Sequence, residues 1–145
     1  VTWNPMKAKV TRIFENNQVL HVSIEDLLSA KMFVDSFAYR LYTCSDRRHL
    51  WNSLNSMGNL SKGQPWIILG DFNEVLCPQE ISGGNQNRGV GMDDFTNCIH
   101  QVCLVDLRYT GCYFTWSNRR FNRTDFTERK LDRALVNNEC LDCYP

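Results

Sequence analysis

The run Pro65-Trp66-Ile67-Ile68-Leu69-Gly70-Asp71-Phe72-Asn73 constrains this chain more than any other stretch. Apolar residues held between Pro and Gly have the pattern of a strand buried on both faces, and the polar groups that follow would be delivered to its carboxyl end. In open α/β sheets, ligands bind beyond such strand ends. Asp71 can hold a divalent cation or draw a proton from water. Asn73, one pleat further on the same face, can donate to an anionic oxygen. Gly, Asp and Asn are also ordinary turn formers, so spacing alone favours a strand followed by a plain turn.

The rest of the chain supplies neighbours for that strand. Residues 9–15 and 18–24 alternate in part about Asn16-Asn17 and predict a hairpin, Asn tolerating the positive φ of such a turn. Residues 32–39 predict a third strand rich in Phe, Val and Tyr. Ser45 predicts the cap of a helix with Leu50, Leu54 and Met57 on its apolar face, Trp51 beside them and Gly58 at its end. Residues 74–91 read as a long loop. Phe95, Ile99 and Val102 then fall at helical spacing within residues 92–103. Buried strands are predicted at 104–107 and 113–116, and a last one over 127–136. Hairpins with two intervening helices point to an α/β sandwich.

Length and charge limit the function classes. At 145 residues the chain makes one domain, burying roughly 70% of its unfolded surface. No apolar run approaches the ~20 residues of a membrane span, and no basic-then-apolar leader precedes Val1, which predicts an intracellular protein without a membrane partner. Seven cysteines form no paired framework of the secreted kind. Cys140-Leu141-Asp142-Cys143 and the Cys98–Cys103 spacing give only a weak zinc pattern. The net charge of zero is unevenly placed. Asp71, Glu74, Glu80, Asp93 and Asp94 face only Arg88, whereas Arg108, Arg119, Arg120, Arg123, Arg129, Lys130 and Arg133 outnumber Asp125, Glu128 and Asp132. That asymmetry suits a cation site beside a polyanion track. Arg47 and Arg48 could also reach phosphate.

Gly70-Asp71-Phe72-Asn73 after an apolar strand resembles the signature of the endonuclease/exonuclease/phosphatase superfamily of metal-dependent phosphodiesterases. Ile81-Ser82-Gly83-Gly84, Met92-Asp93-Asp94-Phe95, Leu104-Val105-Asp106-Leu107, Phe114-Thr115-Trp116-Ser117-Asn118 and Lys130-Leu131-Asp132-Arg133-Ala134-Leu135 follow in the order seen in endonucleases of plant LINE-type retrotransposons. The resemblance implies a DNase I-like fold, in which a single incomplete domain over 1–145 forms part of a four-layer sandwich of two β-sheets flanked by helices. It also implies roles. Asp71 would orient or deprotonate the attacking water near a metal, Asn73 would bind phosphate and fix Asp71, and Tyr39 would contact the scissile phosphate. Asp132 would hold the tautomer of a catalytic histidine. Thr115 and Trp116 would line the nucleic-acid groove, with Arg119 and Arg120 beside them. Mg²⁺ or Mn²⁺ would be the cofactor and DNA the partner of a monomeric nuclear protein, with a reverse transcriptase domain in the parent polyprotein.

Two family elements have no counterpart here. Nothing before Tyr39 supplies the glutamate that serves as principal metal ligand, and the Ser-Asp-His element would fall beyond Pro145. Cys140 stands where plant relatives carry tryptophan. The expectation is a catalytically incompetent central and C-terminal piece of a nuclease. Two alternatives stay open, a nucleic-acid-binding remnant using Trp116, Arg119, Arg120, Arg123 and Arg129, and a phosphoester phosphatase relative.

Overall fold

The computed structural model describes residues 2–39, 44–84, 90–122 and 125–143, with backbone alone at 44–47. Strand β1 (Ala8–Glu15) and β2 (Val19–Asp26) form the N-terminal hairpin, and β3 (Met32–Ala38) pairs antiparallel with β2. Helix α1 (Cys44–Leu60) crosses over to β4 (Trp66–Asp71), which lies parallel to β3. A 3₁₀ turn at Pro78–Glu80 leads to β5 (Ile81–Ser82), followed by α2 (Val90–Gln101) and β6 (Val105–Asp106). The chain ends with β7 (Trp116–Ser117), β8 (Glu128–Arg129), β9 (Asp132–Val136) and α3 (Asn138–Cys143). A six-stranded sheet runs in the order β1-β2-β3-β4-β9-β6, and β5-β8-β7 form a second, three-stranded sheet. Two sheets flanked by helices make this an α/β sandwich.

The core lies between the large sheet and helices α1 and α2. Leu50, Trp51, Leu54 and Met57 of α1 and Phe95, Cys98 and Ile99 of α2 pack on Val34, Trp66, Ile68 and Leu135 of the sheet. At its centre the rings of Trp51, Phe95 and Phe72 stack, with centroids 4.7 Å apart for Trp51–Phe95 and 5.1 Å for Phe72–Phe95. Such stacks add to plain area burial. A polar chain is sealed into the same face. Trp66 Nε1–H can only donate, so Ser36 Oγ accepts it at 2.7 Å and turns its own hydroxyl to His21 Nδ1 at 2.6 Å, leaving Nε2–H to face Ser53 Oγ at 3.2 Å. Burial holds His21 neutral, pulling its pKa down to about 4. Alternate residues point to the other face, where Leu20, Ile24, Phe33, Phe37 and Ile67 are half-buried and Leu69 is 40% exposed.

Several expectations change. The Trp66 strand is covered on one face rather than two, because both helices lie on the same side. Neither Asn16 nor Asn17 has positive φ; instead Asn16 Oδ1 accepts the N–H groups of Gln18 and Val19. Gly58 does not end α1 but lies inside it, where a Cβ would meet Val102 Cγ1 at 2.8 Å, so glycine permits the close approach of Val102. The capping side chain of Ser45, like that of Arg47, lies outside the described residues, as do Arg40, Arg88 and Arg123. The predicted 74–91 loop contains β5, and the strands expected to be buried at 104–107 and 113–116 are two-residue ladders whose Val105 and Trp116 are exposed. The expected strand over 127–136 is two. β8 pairs with β5 and β7, β9 pairs with β4 and β6, and the chain changes sheets at Lys130-Leu131.

Candidate active site at the end of the central strand

Asp71 is the last residue of β4 and Asp132 the first of β9, and they are direct partners across the antiparallel ladder. Strand alternation sends both carboxylates to the face of the sheet opposite α1 and α2. Two features fix this end of β4. Gly70 is obligatory, since a Cβ there would lie 2.1 Å from the carbonyl oxygen of Ala38 on the parallel neighbour. Phe72 is driven into the aromatic stack while its N–H donates to Leu131 O at 3.0 Å. Asp71 is thereby held between a backbone contact and a buried ring.

Asn73 does not continue the strand. Its φ is 50°, and its N–H donates to Asp71 Oδ1 at 2.8 Å. This is a local turn of the kind Asp and Asn favour. The bond to Asp71 comes from the Asn73 backbone, and the amide leaves from a turn rather than from the next pleat.

Thr115 joins this end of the molecule to the small sheet. Its Oγ1 accepts the N–H groups of Leu131 and Asp132, both at 3.0 Å. Beyond it Trp116 pairs with Arg129, and the hairpin that follows presents Arg119 and Arg120, both exposed. Phe114, Thr115, Trp116, Ser117, Arg119 and Glu128 line a groove of about 370 Å³. Asn118, absent from the sequence-based list, organises the hairpin. Its Oδ1 accepts from Arg120 and Thr127, and its Nδ2 donates to Asp125 O. The signal was available, since Asn next to a turn is a common side-chain acceptor of backbone N–H groups. Tyr39 follows β3, is 73% exposed, and its N–H donates to Gln18 O. It ends the strand beside β4, as Ala38 pairs with Gly70.

The charge reading needs a larger correction. Lys130 and Arg133 are not part of a polyanion track, and Glu80 is not free to hold a cation. Arg133 is buried, with Nη1 donating to Glu80 Oε1 at 2.9 Å and to Asp106 Oδ2 at 2.6 Å, and Nη2 donating to Glu80 Oε2. Lys130 Nζ meets Asp106 Oδ2 at 2.5 Å and lies 5.0 Å from the centre of the Tyr109 ring. Burial pulls the Arg133 pKa down, but Glu80 and Asp106 more than offset it, leaving it above the ordinary value. On the helix side, Arg48 pairs with Asp94 at 3.5 Å. A residue count along the chain could not separate these paired charges from the exposed Arg119 and Arg120.

Among the described residues, no three His, Cys, Asp or Glu side chains gather into a closed metal cage. Two opposed carboxylates with hard oxygen donors fit the open kind of site that Mg²⁺ takes, where water and substrate phosphate complete the coordination. Cys98 is buried against α1, its Sγ near Trp51 O at 3.7 Å, and burial pushes its pKa up to about 12.

The model of the Endonuclease/Exonuclease/phosphatase family matches residues 3–144. Comparison with curated protein sequences returns no match. Among solved structures, the human Nocturnin catalytic domain with bound sulfate aligns with TM-score 0.52 at 16% identity, over 92% of this chain and 50% of that one. The D. rerio TDP2 complex with a single-strand DNA product aligns with TM-score 0.50 at 12% identity, over 90% and 51%. A mannosyl-6-phosphatase of Bacteroides thetaiotaomicron aligns at 0.46 and 15% identity, over 83% and 42%. The chain thus spans about half the length of the solved structures it resembles.

Proposed function

The chain belongs to the endonuclease/exonuclease/phosphatase family, and we propose that it is the DNA-facing part of a LINE-type retrotransposon endonuclease, a Mg²⁺-dependent phosphodiester hydrolase. The observation that favours a nuclease is a juxtaposition. The Asp71–Asp132 pair is tied through the Thr115 hydroxyl to a hairpin bearing Trp116, Arg119 and Arg120. Arginines neutralise backbone phosphates, and an exposed indole offers a stacking face for bases. A small phosphomonoester would need neither.

In this reading Asp71 would hold the cation, joined from across the ladder by Asp132, which takes this place instead of the histidine-orienting role the resemblance implies; the cation when bound would neutralise charge on the phosphoryl oxygens. Asp71, with one oxygen engaged by the Asn73 N–H, keeps the other for orienting a water. Asn73 donates to a phosphate oxygen, Tyr39 contacts the scissile phosphate from the neighbouring strand end, and the hairpin aligns the DNA. With two carboxylates as the protein's share of the ligands, this chain by itself binds DNA and does not cut it. The proposed setting is a monomeric nuclear polyprotein that also carries a reverse transcriptase.

The test is duplex binding by the purified chain across a salt series, with a plasmid-nicking assay in Mg²⁺ alongside. Binding should weaken steeply with salt, and Arg119→Ala with Arg120→Ala should flatten the log–log slope by about 2. Absence of duplex binding at low salt, or hydrolysis of a phosphomonoester without DNA binding, would overturn the reading.

A further inference from the structure

Glu80 is 5% exposed, yet it touches both the turn that follows Asn73 and the segment that begins β9. Its carboxylate receives the fork of Arg133, the residue after Asp132, and also the Leu76 N–H at 2.7 Å, three residues beyond Asn73. Its backbone carbonyl accepts the Lys130 N–H at 3.1 Å. Asp106 closes the group from β6 by bonding both Arg133 and Lys130. The turn leaving β4 and the start of β9 are thus anchored to one buried carboxylate from opposite sides.

We propose that Glu80 is a positioning residue for the Asp71–Asn73–Asp132 site. Its bonds to Leu76 and Arg133 hold the post-β4 turn and the Asp132 strand at one fixed separation. This inference rests on the reading of Asp71 and Asp132 as a cation-facing pair. The physical ground is that a bidentate Arg–carboxylate pair fixes geometry in a way apolar contacts do not. An apolar pair of similar volume can keep the fold while releasing that constraint.

The experiment is Mn²⁺ titration of the isotopically labelled chain, following paramagnetic broadening of the Asp71, Asn73 and Asp132 amide signals, with thermal unfolding of each variant in parallel. The variants are Glu80→Leu with Arg133→Met, which removes the two paired side chains together and leaves Lys130 on Asp106, and Glu80→Gln, which keeps shape and acceptor oxygen. The double variant should unfold at a temperature close to that of the wild type yet need more than tenfold more Mn²⁺ for half-broadening at Asp132. Glu80→Gln should fall between the two. A folded double variant with wild-type Mn²⁺ response would overturn the positioning role; if it does not fold, a wild-type response in Glu80→Gln would do so. No site-specific broadening in the wild type would instead overturn the cation-facing reading, and the inference with it.

Discussion

Asp71 and Asp132 occupy the last rung of the ladder between β4 and β9, two like charges placed directly across from one another. Such a pair works against the fold, since like charges opposite each other in a sheet repel. The proposed binding role gives a reason for tolerating the pair where β4 ends, with Gly70 pressed against Ala38 and Phe72 locked into the aromatic stack.

Removing one charge should therefore help the fold and harm the site. Asp132→Asn is expected to raise stability by about 0.5 kcal/mol at low salt, with the gain shrinking as salt screens the pair. Urea denaturation at two ionic strengths measures this. A loss above about 1 kcal/mol would mean that Asp132 carries a structural bond instead.

Thr115 should prove more costly than its exposure suggests. Its hydroxyl accepts two backbone N–H groups, and Thr115→Val leaves both without that acceptor, for a loss of about 2 kcal/mol. Thr115→Ser keeps the oxygen and should lose less than about 1 kcal/mol. Hydrogen exchange at the Leu131 and Asp132 amides should quicken in the valine variant alone. Equal exchange in both variants would remove Thr115 from the support of Asp132.

Acidity offers a test on two groups with opposite slopes, the buried His21 and the half-buried Asp35. Burial pushes Asp35 up to about 6 and pulls His21 down to about 4. Between those values the folded chain keeps an Asp35 proton that the unfolded chain has released, so stability falls as pH rises. In the same window the unfolded chain protonates His21 and the folded chain does not, so stability rises with pH. The two trends oppose, and the wild type should vary little between about pH 4 and pH 6. Asp35→Asn deletes one trend, so its stability should climb across that window and level off above the ordinary histidine value. Denaturation midpoints at each pH decide the matter, and parallel profiles for the two proteins would refute it.

Periodicity located the elements well where the pattern was long. The hairpin about Asn16, the α1 face of Leu50, Leu54 and Met57, and the α2 face of Phe95 and Ile99 all stand where spacing put them. The Asp71–Asp132 partnership was foreshadowed by motif order, but no local pattern states which residues face each other across a ladder. The switch of sheets at Lys130-Leu131 was invisible because residues 127–136 read as one extended run. The same holds for charge. Glu80, Asp106, Lys130 and Arg133 look like surface residues in composition, and only the tertiary fold reveals that the two acids and two bases neutralise one another indoors. His21 stands in no recognisable motif, and its partners Ser36 and Ser53 lie far off in sequence.

The parallel pairing of β3 with β4 carries a kinetic consequence. Strands β1 to β3 follow one another as antiparallel neighbours and can zip from local contacts. β4 has no such nearby mate: it reaches β3 only once α1 has looped back, and β9 only when nearly the whole chain has been gathered in. Non-local pairings of this sort form slowly, after their loop entropy has been met. Asp71 and Asp132 should accordingly come face to face among the closing events of folding, so that their proximity reports on arrival at the native state more faithfully than helix content does.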